Sequence, residues 1–239
     1  MRIYAIGDIH GQIGMMRAAH ERIAADRRRC GDIEAPVVHL GDLTDRGPDS
    51  KAVIDLLIDG IAQGEPWLTV KGNHDRMFAE FLTDPAYHDP CLRAEFEWTH
   101  PRLGGIETLE SYGVTPDTPH AEILRAVPEA HRKFLADMPL MHRFGEVAFV
   151  HAGIRPNVPL SDQTEDDLLW IRGPFHMEVL PHEALIVHGH TPVDIPTHHG
   201  NRINLDTGAG YGDPLTAAVF EGTACWVLEA EGRVPLTPQ

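Results

Sequence analysis

Five short polar turns in this chain of 239 residues carry aspartate, histidine or asparagine beside glycine. They are GDIHG at 7–11, GDLTDRG at 41–47, GNHD at 72–75, HAG at 151–153 and HGHT at 188–191. Carboxylate, imidazole and amide side chains without a thiolate suit Mn²⁺, Fe or Zn²⁺. The residue types and their spacing therefore indicate metal chemistry assembled from separate parts of the chain.

A single one of these turns would mean little, because Gly-Asp is an ordinary turn dipeptide. Turn chemistry alone does not explain why metal-binding side chains recur at five or six predicted strand ends. One carboxylate shared by two ions holds them about 3.5–4 Å apart, which is the arrangement of two-metal phosphoester hydrolysis. Such ions share a water, lower its pKa and direct a hydroxide at phosphorus. Arg46 lies inside the second turn, where a guanidinium can bind phosphoryl oxygens in a bidentate manner.

The elements that must position these turns are predicted to alternate between strand and helix. Apolar residues line one face of two segments, 12–28 and 50–62, as in amphipathic helices. A strand–helix–strand–helix–strand order indicates a largely parallel sheet, whose strands end where ligands bind. The runs that we interpret as buried strands are 3–6, 37–40, 67–70, 147–150, 185–187 and 203–205.

Residues 76–140 have a different pattern, with helical pieces interrupted by prolines and by Gly104-Gly105. We predict a mainly helical insertion or cap here, with strands resuming near residue 146. The chain has no repeat, low-complexity tract or long linker, so we expect one domain over 1–239.

Composition excludes several classes of protein. Apolar residues make up 42% of the chain and charged residues 23%, which is typical of a globular protein. With 36 acidic against 20 basic residues, the net charge of −16 disfavours a nucleic-acid partner. No apolar run is long enough for a membrane span, and the first residues do not resemble a signal peptide. Three scattered cysteines favour free thiols, and we expect a cytoplasmic protein.

The five motifs, in this order, resemble those of calcineurin-like metallophosphoesterases. The DRG ending of the second motif is similar to the phosphoprotein phosphatase branch, above all to its compact bacterial members of the phage lambda type. LWIR at 169–172 and LDTGA at 205–209 resemble that type too. The resemblance covers about 1–220, and 76–140 is its weakest part. It implies an α/β fold, a four-layer α/β/β/α sandwich with a helical insertion.

The resemblance also implies a ligand set for two divalent ions, with Mn²⁺ favoured and Fe or Zn²⁺ as alternatives. One residue, Asp42, would bridge the two ions. Asp8 and His10 would complete the first site, and the remaining ligands of the second would be Asn73, His151 and His190.

Catalytic roles follow from the same resemblance. His74 would be the general acid that protonates the departing oxygen, and Asp45 would hydrogen-bond His74 and orient it. Arg46 and Arg172 would bind the phosphoryl oxygens as negative charge moves toward the leaving group.

The expected reaction is hydrolysis of phosphoserine and phosphothreonine monoesters, with activity on small aryl phosphates, by direct attack of a metal-bridging hydroxide. The alternative is a bis(5'-nucleosyl)-tetraphosphatase, since Asp75 in GNHD is what symmetrical diadenosine tetraphosphate hydrolases carry. Those enzymes usually have a small residue where Asp45 stands, which favours the phosphatase. A third hypothesis is a catalytically silent binding module, which would lack a metal ligand, and none is missing here.

The aromatic residues of the insertion bear on the same choice. A dinucleotide needs surfaces on which its bases can stack, and these are usually aromatic. Because the aromatic side chains of 76–140 lie on helical or turn segments, we expect them to pack in the core. Six of them are Phe78, Phe81, Tyr87, Phe96, Trp98 and Tyr112.

Overall fold

Strands and helices alternate along the first third of the chain, as predicted, in a computed structural model that describes residues 1–239. The six predicted strands are all present, to within one residue at each end. The strands are β1 (Arg2–Ile6), β2 (Val37–His39), β3 (Trp67–Thr69), β4 (Met141–Phe144), β5 (Val147–Val150), β6 (Leu185–His188), β7 (Thr197–His198), β8 (Arg202–Asn204), β9 (Ala217–Glu221), β10 (Ala224–Glu229) and β11 (Gly232–Leu236). The α-helices are α1 (Ile13–Cys30), α2 (Ser50–Ala62), α3 (Asn73–Thr83), α4 (Gly105–Ser111), α5 (His120–Ala126), α6 (Glu129–Asp137), α7 (Glu165–Trp170) and α8 (Gly173–Met177).

The strands form two sheets. The first has the order β11-β10-β9-β1-β2-β3, with β1, β2 and β3 parallel and the other three antiparallel. The second has the order β4-β5-β6-β8-β7, with β5, β6 and β8 parallel. The prediction of a parallel sheet was correct for the strands that carry the motifs, and it did not include the antiparallel extension from β9 to β11.

Alternation along β1 explains why the sheets stack. Ile3 and Ala5 belong to the apolar cluster between the two sheets, whereas Tyr4 and Ile6 belong to the cluster under the helices. Successive side chains of a strand point to opposite faces, and both faces of this sheet are covered. Every residue of β1 after Arg2 is therefore buried. Strand β5 does the same in the second sheet, with Phe149 facing β1's sheet and Ala148 facing outward.

Helices cover both outer faces. Helices α1 and α2 bury Met16, Ile23, Ile54 and Leu57 against the first sheet. On the other side, the α7–α8 region buries Leu168 and Phe175 against the second sheet. The result is the expected four-layer α/β/β/α sandwich.

The segment 76–140 contains helix and turn only, in the rest of α3 and in α4, α5 and α6. Its buried side chains join the same apolar cluster as α1 and α2, including Phe78, Trp98 and Leu135. The insertion therefore extends the helical layer on the first sheet, close to the carboxyl ends of β1, β2 and β3. None of the helices has the length and apolarity needed to cross a membrane.

Candidate metal centre and active-site cleft

The six predicted metal ligands meet where the parallel strands of both sheets end. Asp8 and His10 follow β1, Asp42 follows β2, and Asn73 begins α3 after β3. The second sheet contributes two residues, His151 directly after β5 and His190 after β6. All six are buried.

Asp42 lies between two groups of possible ligands. One group contains His10, Asp42 and His74, and the other contains Asp42, His151 and His190, with ligand atoms in each group within 4.8 Å of one another. Asp42 Oδ2 is 3.4 Å from His10 Nε2, and Asp42 Oδ1 is 3.3 Å from His151 Nε2. A carboxylate with one oxygen toward each group is what a shared ligand of two ions requires.

Hydrogen bonds to backbone carbonyls set which imidazole nitrogens are free to bind a metal. The Nδ1–H of His10 donates to Thr44 O, and that of His151 donates to Leu40 O, each at 2.8 Å. Burial lowers the pKa of both histidines, which favours neutral rings with a lone pair on Nε2. The His151 Nε2 then faces Asn73 Oδ1 at 2.9 Å, so two acceptors point at one another. A cation between or beside them satisfies both.

Two buried polar atoms of the cluster have no hydrogen-bond partner, namely Asp8 Oδ1 and His190 Nε2. The other oxygen of Asp8 accepts from the His190 backbone N–H at 2.9 Å, and His190 Nδ1 is 2.9 Å from Asn73 Oδ1. Gly189 allows this approach, because a Cβ there would overlap Asp8 Oδ1. Unpartnered acceptors in a buried site of this composition fit divalent metal ions.

The charges of the cluster also call for cations. Burial, followed by the charges of Asp206 and Asp42, raises the pKa of Asp8 well above its usual range. Burial alone would raise the pKa of Asp42, but His151, His74, His10 and His190 together hold it well below its usual range. Asp206 was missed as a member of the cluster. It is buried, burial raises its pKa to about 6, and its position in LDTGA after β8 was the available signal.

Backbone conformation marks the same residues. Six residues other than glycine have a positive φ, and five of them belong to this site: His10 (46°), Asp42 (45°), Asp45 (72°), Arg46 (65°) and His190 (68°). Such conformations cost about 1–3 kcal/mol each and persist where the surrounding structure enforces them. The turns hold these side chains toward one another at the expense of local stability.

His74 and Asp45 are in direct contact beside the cluster. His74 Nδ1 is 2.7 Å from Asp45 Oδ2, and Asp45 is fully buried. The His74 backbone N–H donates to Asp42 Oδ1 at 3.0 Å, and its Nε2 is 4.0 Å from Asp42 Oδ2. The Nε2 of His74 thus faces the metal cluster, while Nδ1 is held by Asp45.

The two predicted phosphate-binding arginines, Arg46 and Arg172, both line the cleft above the cluster. One guanidinium nitrogen of Arg46 is 2.5 Å from His10 Nε2 and the other is 3.2 Å from His74 Nε2. Its Cζ lies 4.7 Å from the ring centroid of Tyr211. Burial lowers the pKa of Arg172, as it does for a guanidinium withdrawn from water.

The cleft is larger than the metal cluster, with a volume of about 750 Å³. Three further arginines line it that sequence reasoning did not single out, Arg93, Arg102 and Arg155. Phe96 and Trp170 line it as well, and both are half-buried. The expectation of core packing was correct for Phe78, Trp98 and Tyr112, which are buried. Phe96 packs against the same core from one side, and it also lines the cleft, because the turn that carries this ring runs along it.

Asp75 does not line the cleft. Its Oδ2 accepts from Gly72 N and its Oδ1 from Leu43 N, each at 2.9 Å, so it ties the second and third motifs together. Burial and the charge of Asp42 raise its pKa to about 7. Asp75 therefore supports the packing of these two turns and lies outside the lining of the cleft.

A family model described as calcineurin-like phosphoesterase matches residues 1–218. Several curated relatives are named bis(5'-nucleosyl)-tetraphosphatase PrpE (asymmetrical). The chain is 29% identical to the protein of this name from Geobacillus thermodenitrificans, over 98% of this chain and 97% of that protein. It is 27% identical to the one from Bacillus subtilis, over 90% of this chain and 89% of that protein.

Solved structures share the fold at lower identity. A protein provisionally named diadenosine tetraphosphatase superposes with a TM-score of 0.63 at 23% identity, over all of this chain and 95% of that one. A cold-active protein-tyrosine phosphatase from a psychrophilic Shewanella gives 0.63 at 16% identity, over 99% of this chain and 80% of that one. A serine/threonine phosphatase from Saccharomyces cerevisiae gives 0.51 at 14% identity, over 98% and 76%. These likenesses support the fold alone.

Proposed function

The chain belongs to the calcineurin-like phosphoesterase family, and on that premise we propose that it cleaves bis(5'-nucleosyl)-tetraphosphates asymmetrically. This reverses the order of preference that the sequence favoured, in which phosphoserine and phosphothreonine monoesters came first. Two findings support the change: the arginine-lined cleft, and the name that the curated relatives carry over nearly their whole length.

The arginines of the cleft are the observation on which the proposal depends. The chain as a whole has a net charge of −16, yet Arg46, Arg93, Arg102, Arg155 and Arg172 line one cleft. Two guanidinium groups are enough to bind a terminal phosphoryl dianion, whereas a tetraphosphate carries about four charges along its length. Arg155 is paired with Asp167, which lines the same cleft, but Arg93 and Arg102 extend the positive charge beyond the metal cluster and suit the longer anion.

The walls of the cleft also offer flat surfaces to a nucleobase. Phe96 and Trp170 are half-buried, and the Cζ of Arg102 lies 5.7 Å from the Phe96 ring centroid. Bases stack on aromatic rings and on guanidinium planes without strong sequence preference. A phosphoserine side chain has no base that could stack on such surfaces.

The chain's own residues divide the chemistry between them. Asp8, His10, Asp42, Asn73, His151 and His190 would hold two divalent ions, which supply charge neutralisation and a water of lowered pKa. Arg46 and Arg172 would bind the oxygens of the phosphate under attack. His74, held by Asp45, would deliver a proton to the departing oxygen.

A second candidate function is hydrolysis of phosphoserine and phosphothreonine monoesters. The observation in its favour is the 2.7 Å contact between His74 and Asp45. An alkoxide is a poor leaving group and depends on a positioned acid, whereas a nucleotide phosphate leaves as a stable anion.

A direct comparison of kcat/KM on diadenosine tetraphosphate and on phosphoseryl peptides, at equal Mn²⁺, tests the proposal. We expect a dinucleotide preference of at least tenfold, or about 1.4 kcal/mol. ATP and AMP should be the products. A tenfold preference for the peptide supports the second candidate, and ADP alone would mean symmetrical cleavage. A protein that binds both metals and cleaves neither substrate would contradict both candidates, whereas the silent binding module would fail to hold both metals.

We further propose Mn²⁺ as the working metal, because the ligand set consists of carboxylates, imidazoles and an amide. Metal analysis of the purified protein tests this. A cytoplasmic location remains our proposal, supported by three unpaired cysteines.

A further inference from the structure

The carboxylate of Asp45 is completely buried, and residues of the helical insertion donate to both of its oxygens. Trp98 Nε1–H donates to Oδ2 at 2.9 Å. Thr108 Oγ1 donates to Oδ1 at 2.7 Å. A buried carboxyl group without such partners is strongly destabilising, so these donors satisfy both oxygens of the group that faces His74.

The geometry of the donors fixes the plane of the carboxylate. Trp98 and His74 share Oδ2, and Thr108 holds Oδ1. Two donors on separate oxygens prevent rotation of the carboxyl group about its Cβ–Cγ bond. Because His74 Nδ1 meets Oδ2 at 2.7 Å, the orientation of the imidazole follows that of the carboxylate.

The insertion holds the backbone at this point as well. The Asp45 N–H donates to Thr108 Oγ1 at 2.8 Å and to Ser50 Oγ at 3.1 Å. The Arg46 N–H donates to Gly104 O at 3.2 Å. Gly104 has a φ of 87°, and a Cβ there would overlap the Arg46 backbone. Asp45 and Arg46 keep their positive φ values against this segment.

We propose that Trp98 and Thr108 are positioning residues, which hold Asp45 so that His74 presents its proton to the leaving group. The insertion then completes the acid part of the site, whereas the two sheets supply the metal part. The inference rests on the proposed function in one respect, namely that His74 acts as the acid.

Packing alone is the competing explanation for Trp98. Its ring lies 5.3 Å from that of Phe78 and 4.7 Å from that of Phe81, between centroids. A ring that only fills the core would not need its N–H on Asp45. Substitutions that remove the donor and keep the shape therefore separate the two explanations.

The test compares W98F, T108V and T108S with the control Y112F. Tyr112 belongs to the same insertion and packs 5.7 Å from Phe78, but its hydroxyl is paired with His131 at 2.9 Å and does not reach Asp45. We expect W98F and T108V to lower kcat about 10- to 100-fold, with KM and metal content unchanged. T108S retains the hydroxyl and should stay close to wild type, as should Y112F. Equal losses in Y112F and W98F would overturn the inference.

A double-mutant cycle gives the sharper readout. If Trp98 acts through Asp45, then W98F should lower kcat no further in a D45N background. If Trp98 only supports the core, the two losses should multiply. The cycle is measured on whichever of diadenosine tetraphosphate and a phosphoseryl peptide the wild type cleaves faster, because 4-nitrophenolate leaves without much help from an acid.

A measurement without turnover keeps the inference separate from the proposed function. The chain has four tryptophans, so ¹⁵N-labelled protein gives few indole N–H signals, and W98F identifies the one from Trp98. In D45N that signal should move to higher field while the signal of Trp226 stays in place. An unmoved Trp98 signal overturns the inference. A wild type that cleaves neither substrate overturns the proposed function, and the indole signal still decides the contact.

Discussion

The ends of the two sheets and the helical insertion contribute to the same cleft in different ways. At the sheet ends the side chains are buried and their backbone is held in costly conformations, as at His10 and Asp42. The insertion instead brings exposed side chains on turns, Arg93 and Arg102, and the half-buried Phe96. From the insertion, the side chains of Trp98 and Thr108 reach the buried Asp45, and Gly104 accepts from the backbone of Arg46.

On the proposed function, this difference separates chemistry from selection of the substrate. The groups proposed to hold metals and move a proton lie at short turns between strands and helices and are buried and hydrogen-bonded from several sides. The groups proposed to recognise the rest of the substrate lie on a connecting segment, where change is tolerated. Substitutions at the sheet ends should therefore affect every substrate, and those on the surface of the insertion should affect long substrates only.

The largest effect is expected from Asp42→Ala, at the residue that both metal groups share. We expect loss of both bound ions and a loss of turnover of at least ~10³-fold. Asp8→Ala should mainly weaken one site. Metal content by mass spectrometry and kcat measure the two outcomes. Two bound ions with near-normal turnover in Asp42→Ala would show that the ligand set is wrong.

Chelation should abolish wild-type activity, and Mn²⁺ should restore it.

His74→Asn should be the next most damaging change. Loss of a general acid typically lowers rates by about 10²- to 10⁴-fold. The loss should be greater for serine phosphate than for 4-nitrophenyl phosphate, because nitrophenolate leaves without much help from a proton. Metal content serves as the control. Equal losses on both substrates, with metals still bound, would remove His74 from the role of acid.

Acid should destabilise the sheet body more than the insertion. Burial lowers the pKa of His39 to about 4 and that of His20 to about 3, and their Nε2 atoms face each other at 2.8 Å. Below the unfolded value near 6.5 the unfolded chain binds more protons, so stability is lost as pH falls toward 4. For His39 this amounts to about 2 kcal/mol between pH 7 and pH 5.

The measurement is the free energy of unfolding in urea at the two pH values. His39→Gln should flatten the dependence on pH. His131→Asn, in the insertion, should flatten it less, because Asp55 beside His131 partly offsets the burial that lowers its pKa. If His131→Asn flattened the pH dependence of the unfolding free energy more than His39→Gln, the expected difference between sheet body and insertion would be contradicted.

The smallest effect is expected at the surface of the insertion. Arg93→Ala and Arg102→Ala should each lower kcat/KM on diadenosine tetraphosphate about tenfold, since each removes one phosphate-binding cation. Activity on 4-nitrophenyl phosphate should not change. Arg125→Ala is the matched control, an exposed arginine of α5 paired with Glu122 outside the cleft. Equal losses of kcat/KM on both substrates would mean that these arginines do not favour substrates with a long phosphate chain.

The sequence carried most of the information on the sheet ends. Each candidate ligand lies within four residues of the end of a short apolar run. Parallel strands bring their ends to one edge of the sheet, so this local pattern predicts contacts between residues distant in sequence. Asp206 fits the same rule after β8 and was overlooked because no role was attached to it. Strands β9 to β11 were not predicted, since they end in hairpin turns that carry no such residues.

The contribution of the insertion could not be predicted in the same way. Trp98 reaches Asp45 across 53 positions of sequence, through turns that have no regular period. Phe96 and Trp98 are two residues apart, and one lines the cleft while the other is buried in the core. Which of the two rings faces the cleft depends on how the turn crosses the helices below it. Composition and residue spacing do not predict that path.

The positive φ values at His10, Asp42, Asp45, Arg46 and His190 have a consequence for engineering. Left-handed backbone at five residues other than glycine costs on the order of 5 kcal/mol, as much as the entire stability of many domains. Glycine at these positions would relieve that cost and remove the functional group. Heat resistance and turnover therefore select in opposite directions here, and a screen for thermal tolerance alone would enrich folded, inactive proteins.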